Sequence, residues 1–164
     1  MTANLKPGQQ CTRAAHTASA VLSQIYRSFQ YRDRHVFVQL YKQYVRPHLE
    51  FAVQAWSPWA EGDKEVLEKV QKRAIAMVAG LSGRTYEERL AELGMVTLEE
   101  RRHQADMAQV FKILRGHDRV EPGHWFKPVN SNGHQTRGVA DPLNLVKPRH
   151  RLDARKHFFF ATSH

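Results

Sequence analysis

Over the first 116 residues the apolar positions recur at three- and four-residue steps, the period of one face of a helix. Ala14, Ala18, Val21, Leu22 and Ile25 predict a first helix between Gln10 and Ser28. Tyr31-Arg32-Asp33 interrupts it, and the Asp33 carboxylate is suited to accept orphan N–H groups of a following turn, so a second helix is expected from Arg34 to about Arg46. Its stripe of Phe37, Leu40, Tyr41 and Tyr44 continues past Pro47 as Leu49, Ala52, Val53 and Trp56. Proline has no N–H for the Gln43 carbonyl and its ring crowds that turn, which predicts a kink or break at Pro47 with helix resuming to Trp56. Both halves would then pack on one core.

Beyond Ser57-Pro58, Gly62-Asp63 reads as the next N-cap. Leu67, Val70, Ala74, Met77, Val78 and Leu81 follow as a strongly amphipathic run, with Glu65/Lys69 and Glu68/Lys72 spaced for ion pairs and Gln71 on the surface side. Gly80 and Gly83 end it. Thr85-x-x-Glu88 and Thr97-x-x-Glu100 have the form of capping boxes, in which each side chain satisfies the other residue's backbone N–H. The first opens a short helix ended by Gly94. The second opens a helix expected to bury Met107, Val110, Phe111 and Leu114 until Gly116, with His103 on the border of that face and Arg102–Asp106 as a surface pair.

After Gly116 the period is lost, and four of the seven prolines stand there: Pro122, Pro128, Pro142 and Pro148. Residues 117–148 are expected to be irregular, with a short helix or strand at Arg151–Phe160. The pattern therefore predicts an all-α fold: a bundle of five or six short helices over residues 1–116, then an irregular basic tail over 117–164. The ending HFFFATSH leaves three adjacent phenylalanines with little following chain to cover them, which reads as an interrupted sequence.

Charge sharpens this division. Of the formal +9, residues 1–60 carry seven Lys/Arg against two Asp/Glu and residues 117–164 eight against four, while residues 61–116 balance at ten each. Clustered cations attract phosphates and release counterions from nucleic acid. No apolar run approaches the roughly eighteen residues of a membrane span. The start, MTANLKPGQQC, has no apolar core of a secretory signal, and a single cysteine, Cys11, gives neither a disulfide framework nor a cysteine zinc site; both fit an intracellular setting.

Candidate chemistry is sparse. The glycines stand singly at helix ends rather than in a phosphate-cradling loop, and His117, His124 and His134 match no metal-ligand spacing. Neither a cofactor nor a catalytic residue is expected. Basic residues interleaved with aromatics stand out instead, because guanidinium groups grip phosphates while aromatic faces stack bases. One cluster holds Arg27, Arg32, Arg34 and Arg46 near Phe29 and Tyr31; the other holds Lys147, Arg149, Arg151, Arg155 and Lys156 beside Phe158–Phe160. These nine cations are the candidate nucleic-acid-binding residues.

The runs YRDRHVFVQLYKQYVRPHLEFAVQAWSPW, DKEVLEKVQKRA, TYEERLAELGMVTLEERRHQADM and FKILRG carry a resemblance covering nearly the whole chain. They resemble the C-terminal region of reverse transcriptases from non-LTR, LINE-type retrotransposons of the jockey and chicken-repeat lineage. The resemblance implies a helical thumb and the region after it, which hold an RNA or RNA–DNA duplex, with Pro47 part of the motif YVRPHLE. The polymerase's aromatic-x-Asp-Asp motif, its fingers and its endonuclease have no counterpart here. It follows as an expectation that the chain is a non-catalytic fragment with at most weak, sequence-independent RNA or DNA binding. The alternative is a helical interaction module whose apolar surface meets itself, another protein, or a polymerase palm supplied by a longer chain.

Overall fold

The chain is all-α. A computed structural model describes residues 7–30, 33–124, Phe126 and Leu145, and among them no strand occurs. They form α1 (Gly8–Ser28), α2 (Arg34–Leu40), a π-helical turn (Tyr41–Val45), α3 (Arg46–Glu50), α4 (Val53–Trp56), α5 (Glu61–Ala76), α6 (Tyr86–Glu92), α7 (Leu98–Leu114) and a 3-10 turn (Pro122–His124). Two compact units result, residues 1–102 and 103–164.

In the first unit α1 buries Cys11, Ala14, Ala15, Ala18, Leu22 and Ile25. Small residues at four of these six positions let a neighbouring helix come close. That neighbour is α5, which contributes Leu67, Val70, Ala74 and Ile75 to the same core. The helices meet near their N-terminal ends, where a Cβ added to Gly8 would lie 3.0 Å from Asp63 Oδ1. Asp63 is therefore not the N-cap of α5; that position falls to Ala60, which offers no side-chain bond, and Asp63 sits in the first turn. Its negative charge there still complements the helix dipole.

Pro47 does not break the chain. Helical structure runs from Arg34 to Glu50 because the turn before the proline is π-helical: the Arg46 N–H donates to the Tyr41 carbonyl, five residues back. Such a turn holds one residue more than an α-turn, so the carbonyl that a proline ring would crowd is no longer locked against it. Pro47 then stands in the first turn of α3, where its missing N–H removes no bond. The break comes four residues later. Phe51 closes α3 with a 2.9 Å bond from its N–H to the Pro47 carbonyl, and Ala52 turns the chain at φ 51°, ψ 32°. Left-handed backbone costs an L-residue roughly 1–2 kcal/mol. Trp56 Nε1 spans the corner, donating to the Phe51 carbonyl at 2.8 Å.

The capping reading is confirmed where local bonds decide it. Asp33 accepts the His35 N–H at 3.1 Å, and Thr85 with Glu88 forms both bonds of a capping box. Thr97 Oγ1 accepts the Glu100 N–H at 3.1 Å. Glu65 and Lys69 pair at 3.6 Å.

Glu68 and Gln71 depart from expectation. Gln71 is wholly buried: Oε1 accepts from Tyr41 Oη at 2.8 Å, and Nε2 donates to Tyr86 Oη and to the Val96 carbonyl, both at 2.9 Å. Glu68 turns away from Lys72 to accept from Tyr86 Oη and, through Oε2, from the Leu98 N–H at 3.1 Å. Lys72 lies over the Tyr86 ring instead, 5.3 Å from its centre. A buried glutamine is stable only when its amide is satisfied, and here three partners from other segments satisfy it.

α7 also turns a different face inward. Leu98, Arg102, Asp106, Val110 and Ile113 are buried, whereas Met107 and Phe111 are exposed and so is His103. With Arg102 and Asp106 buried, a surface pair between them is excluded. Two stripes compete on this helix, and the one with polar residues at its centre prevails. In the second unit Val110, Ile113 and Phe126 cluster, joined by Leu114 and Leu145. The expected element at Arg151–Phe160 lies outside the described residues.

Ala52→Gly should raise stability by about 0.5–1 kcal/mol, because glycine adopts positive φ without strain, less its greater unfolded-state entropy. Ala20→Gly, on the exposed side of α1, should lower stability by about 1 kcal/mol. Urea midpoints that move in the same direction for both variants would refute the corner geometry.

The Tyr41 and Tyr86 phenols are held well above the ordinary range, in both cases first by burial; for Tyr41 the Glu50 charge adds to this, and for Tyr86 the bond to Glu68. Unfolded phenols ionise near pH ~10 while these two stay protonated, so above that pH the unfolded state binds fewer protons and stability falls as pH rises. Tyr41, 2% exposed, should contribute a slope of about 1.4 kcal/mol per pH unit well above its unfolded value, and the half-buried Tyr86 less because solvent screens it. Tyr41→Phe should flatten the decline in urea stability between pH 9.5 and 11.5. Equal slopes for parent and variant would remove Tyr41 from the linkage.

Candidate nucleic-acid interface

Three of the nine candidate cations lie among the described residues: Arg27, Arg34 and Arg46. Arg32, Lys147, Arg149, Arg151, Arg155 and Lys156 lie outside them. The structure does not gather the three into one patch. Arg34 opens the Arg34–Glu50 helical run and Arg46 lies further along it at the start of α3, about 18 Å away at ~1.5 Å per residue.

Both are also engaged. Arg34 Nη2 contacts Glu92 of α6 at 2.7 Å, and Arg84 Nη1 contacts the other oxygen of the same carboxylate. Arg46 approaches Glu50 at 3.8 Å, while Arg101 of α7 grips Glu50 with two nitrogens, Nη2 at 3.0 Å and Nε closer still. The Glu50 bond holds the Arg101 guanidinium above its ordinary range. Each of these acids thus serves two arginines. Pairing fixes the side chains but leaves an excess of one positive charge at each place.

Arg27 differs. It closes α1, its Nε donates to the Ser23 carbonyl at 3.3 Å, and it has no acidic partner among the described residues. It belongs to a longer surface. The exposed side of α1 carries Arg13, His16, Ala20, Gln24 and Arg27 at steps of three and four, and the helix contains no Asp or Glu at all. Arg13 and Arg27 are about 21 Å apart along it, at ~1.5 Å per residue. Lys42, half-buried in the π-helical turn, is likewise without an ion pair among the described residues. Sequence reasoning passed over Arg13, His16 and Lys42. The available signal was the absence of acids from residues 8–28, which a search for clustered cations ignores.

Other titratable groups are placed for structure. Cys11 is wholly buried and its thiol is pushed up to about 11, first by burial and then by the Asp63 carboxylate. Arg102 is 5% exposed and its terminal guanidinium nitrogens have no hydrogen-bond partner among the described residues; burial pulls its affinity for protons down, opposed by the charges of Glu68 and Glu99. Lys64 bonds Glu61 at 2.8 Å and Glu99 at 2.6 Å, and these bonds raise it. Among the described residues no three His, Cys, Asp or Glu side chains converge as metal ligands, and no helix is long and apolar enough to cross a membrane.

Fold and surface together define an all-α module with a basic, acid-free helix on its exterior. Comparison with known proteins finds no matching family model, no similar curated protein and no similar solved structure.

Proposed function

We propose that the chain is a helical, non-catalytic module that holds RNA or DNA through its phosphates without reading sequence, as the resemblance to the thumb region of LINE-type reverse transcriptases implies. The observation that carries this reading is the exposed side of α1. Twenty-one residues without one carboxylate present Arg13, His16 and Arg27 along a line about as long as six phosphate steps of one strand, at ~3.4 Å each. Phosphate contact of this kind is independent of base identity. Arg34 and Arg46 add diffuse positive charge rather than direct grips, since both hold carboxylates. The tail cations form a second, separate group in the sequence.

Binding of a mixed-sequence RNA–DNA hybrid should weaken steeply with salt. Arg13→Gln with Arg27→Gln should flatten the slope of log K against log salt by about two units, and Arg149, Arg151, Arg155 and Lys156 changed to Gln by about three to four, near 0.9 for each phosphate no longer neutralised. Affinity should fall alike for all sequences. Unchanged slopes would remove the corresponding group from the interface. Absence of binding by the parent chain at low salt, with salt-insensitive self-association, would replace this reading with that of an interaction module.

Primer extension requires carboxylates that hold metal ions in line with the reacting phosphate. The chain contains no Asp-Asp pair. Labelled nucleotide should therefore not be incorporated with magnesium or manganese, and incorporation above a boiled control would overturn the non-catalytic assignment.

A further inference from the structure

The most exposed aromatic side chains of the first unit stand together on a face that the phosphate reading leaves unused. Tyr44 is 55% exposed and Phe51 79% exposed. Between them Pro47 and His48 are exposed as well, so that positions 44, 47, 48 and 51 make one outward stripe from the π-helical turn through α3. Seven residues separate the two rings, about 10 Å at ~1.5 Å per residue, or roughly three stacked-base steps.

Two irregularities support this stripe. The π-helical turn shifts the helical register immediately before Pro47, and the left-handed Ala52 ends α3 directly after Phe51. Ala52 is the one non-glycine residue with positive φ among those described. The Trp56 indole ties the Phe51 carbonyl and so fixes the backbone from which that ring projects. Strained backbone and π-turns of this kind concentrate where a side chain must be presented.

Charge decides what the stripe suits. Lys42 and Arg46 flank it on its own helix, and Arg101 of α7 reaches Glu50 beside it. Glu50 is the single acid on the run from Arg34 to Glu50, and both its oxygens are taken by arginine. The rim is therefore cationic and the projecting groups are aromatic rings. A partner that alternates flat apolar faces with negative charge at this spacing is an unpaired nucleic-acid strand.

Resting on the nucleic-acid reading above, we infer that Tyr44 and Phe51 stack unpaired bases of single-stranded RNA or DNA, with Lys42 beside the intervening phosphates and Arg46 adding diffuse positive charge. This adds a single-strand contact to the duplex-phosphate surface of α1. Each stacked base contributes enough that removing one ring should weaken binding about tenfold.

The test compares a twelve-nucleotide oligothymidylate with a twelve-nucleotide abasic strand, which carries the same phosphates and no bases, by fluorescence anisotropy at low salt. The parent chain should prefer the thymidylate by tenfold or more. Tyr44→Ala with Phe51→Ala should abolish the preference while leaving the abasic strand's affinity unchanged, and Phe51→Trp should preserve it. Circular dichroism checks that the variants fold, as substitutions at such exposed positions should. Equal affinity of the parent for both strands overturns stacking yet leaves the phosphate reading intact. Failure of both strands and of the duplex hybrid overturns both. Self-association of the parent that Phe51→Ala abolishes, with no preference between the strands, assigns the stripe to a protein contact instead and overturns the inference.

Discussion

The first unit is organised around a buried amide. Gln71 on α5 faces a backbone carbonyl, that of Val96, which can only accept, so its nitrogen must point there and its oxygen toward Tyr41. From this one orientation a direction runs through the network: Tyr41 donates to Gln71, Gln71 to Tyr86, and Tyr86 to Glu68, whose other oxygen receives the Leu98 N–H. The π-helical turn, α5, α6 and the first turn of α7 are thereby tied through side chains that can be exchanged for almost nothing else. Apolar residues at these positions would bury as well but would not fix which element meets which. Leaving one member unpaired would cost about 1–3 kcal/mol, more than a typical intramolecular hydrogen bond contributes. That asymmetry explains why polar groups sit within a core otherwise made mostly of Ala, Leu, Val and Ile.

Much of this architecture is readable without coordinates because it depends on neighbours in sequence. Asp33 and Thr85 cap helices through bonds two and three residues away, and the α5 stripe repeats its period for four turns. What escapes reading depends on partners far off. Gln71 looks like a surface residue because glutamine usually is one; Tyr41, thirty residues earlier, is what makes its burial tolerable. Arg102 and Asp106 mask the inward face of α7 because charged side chains at helix spacing read as a solvated face, although both are buried. Pro47 misleads differently, since the proline rule assumes an α-turn before it and the chain supplies a wider one.

The surface shows a parallel division. Arg34 and Arg46 are conspicuous as arginines, yet their engagement with Glu92 and Glu50 depends on α6 and on the helix run itself, which no tally of clustered charges registers. Arg13 is inconspicuous because its nearest basic neighbour in sequence is distant, although helical spacing sets it on the same line as Arg27. Absence of acids from a whole helix was the more informative pattern. Tyr44 was legible only as a member of an apolar stripe, and Phe51 falls off that stripe; the π-helical turn and the corner at Ala52 leave both rings exposed.

Sharing of Glu50 and Glu92 has a consequence for how this surface can drift. Each carboxylate keeps a partner when either of its two arginines is replaced, so no single replacement strands a negative charge. Positive potential can therefore be dialled down one unit at a time, at either end of the Arg34–Glu50 run, while the ties between elements stay made. The redundancy separates two properties that ion pairs usually couple: how firmly neighbouring helices are joined, and how strongly the exterior attracts an anion.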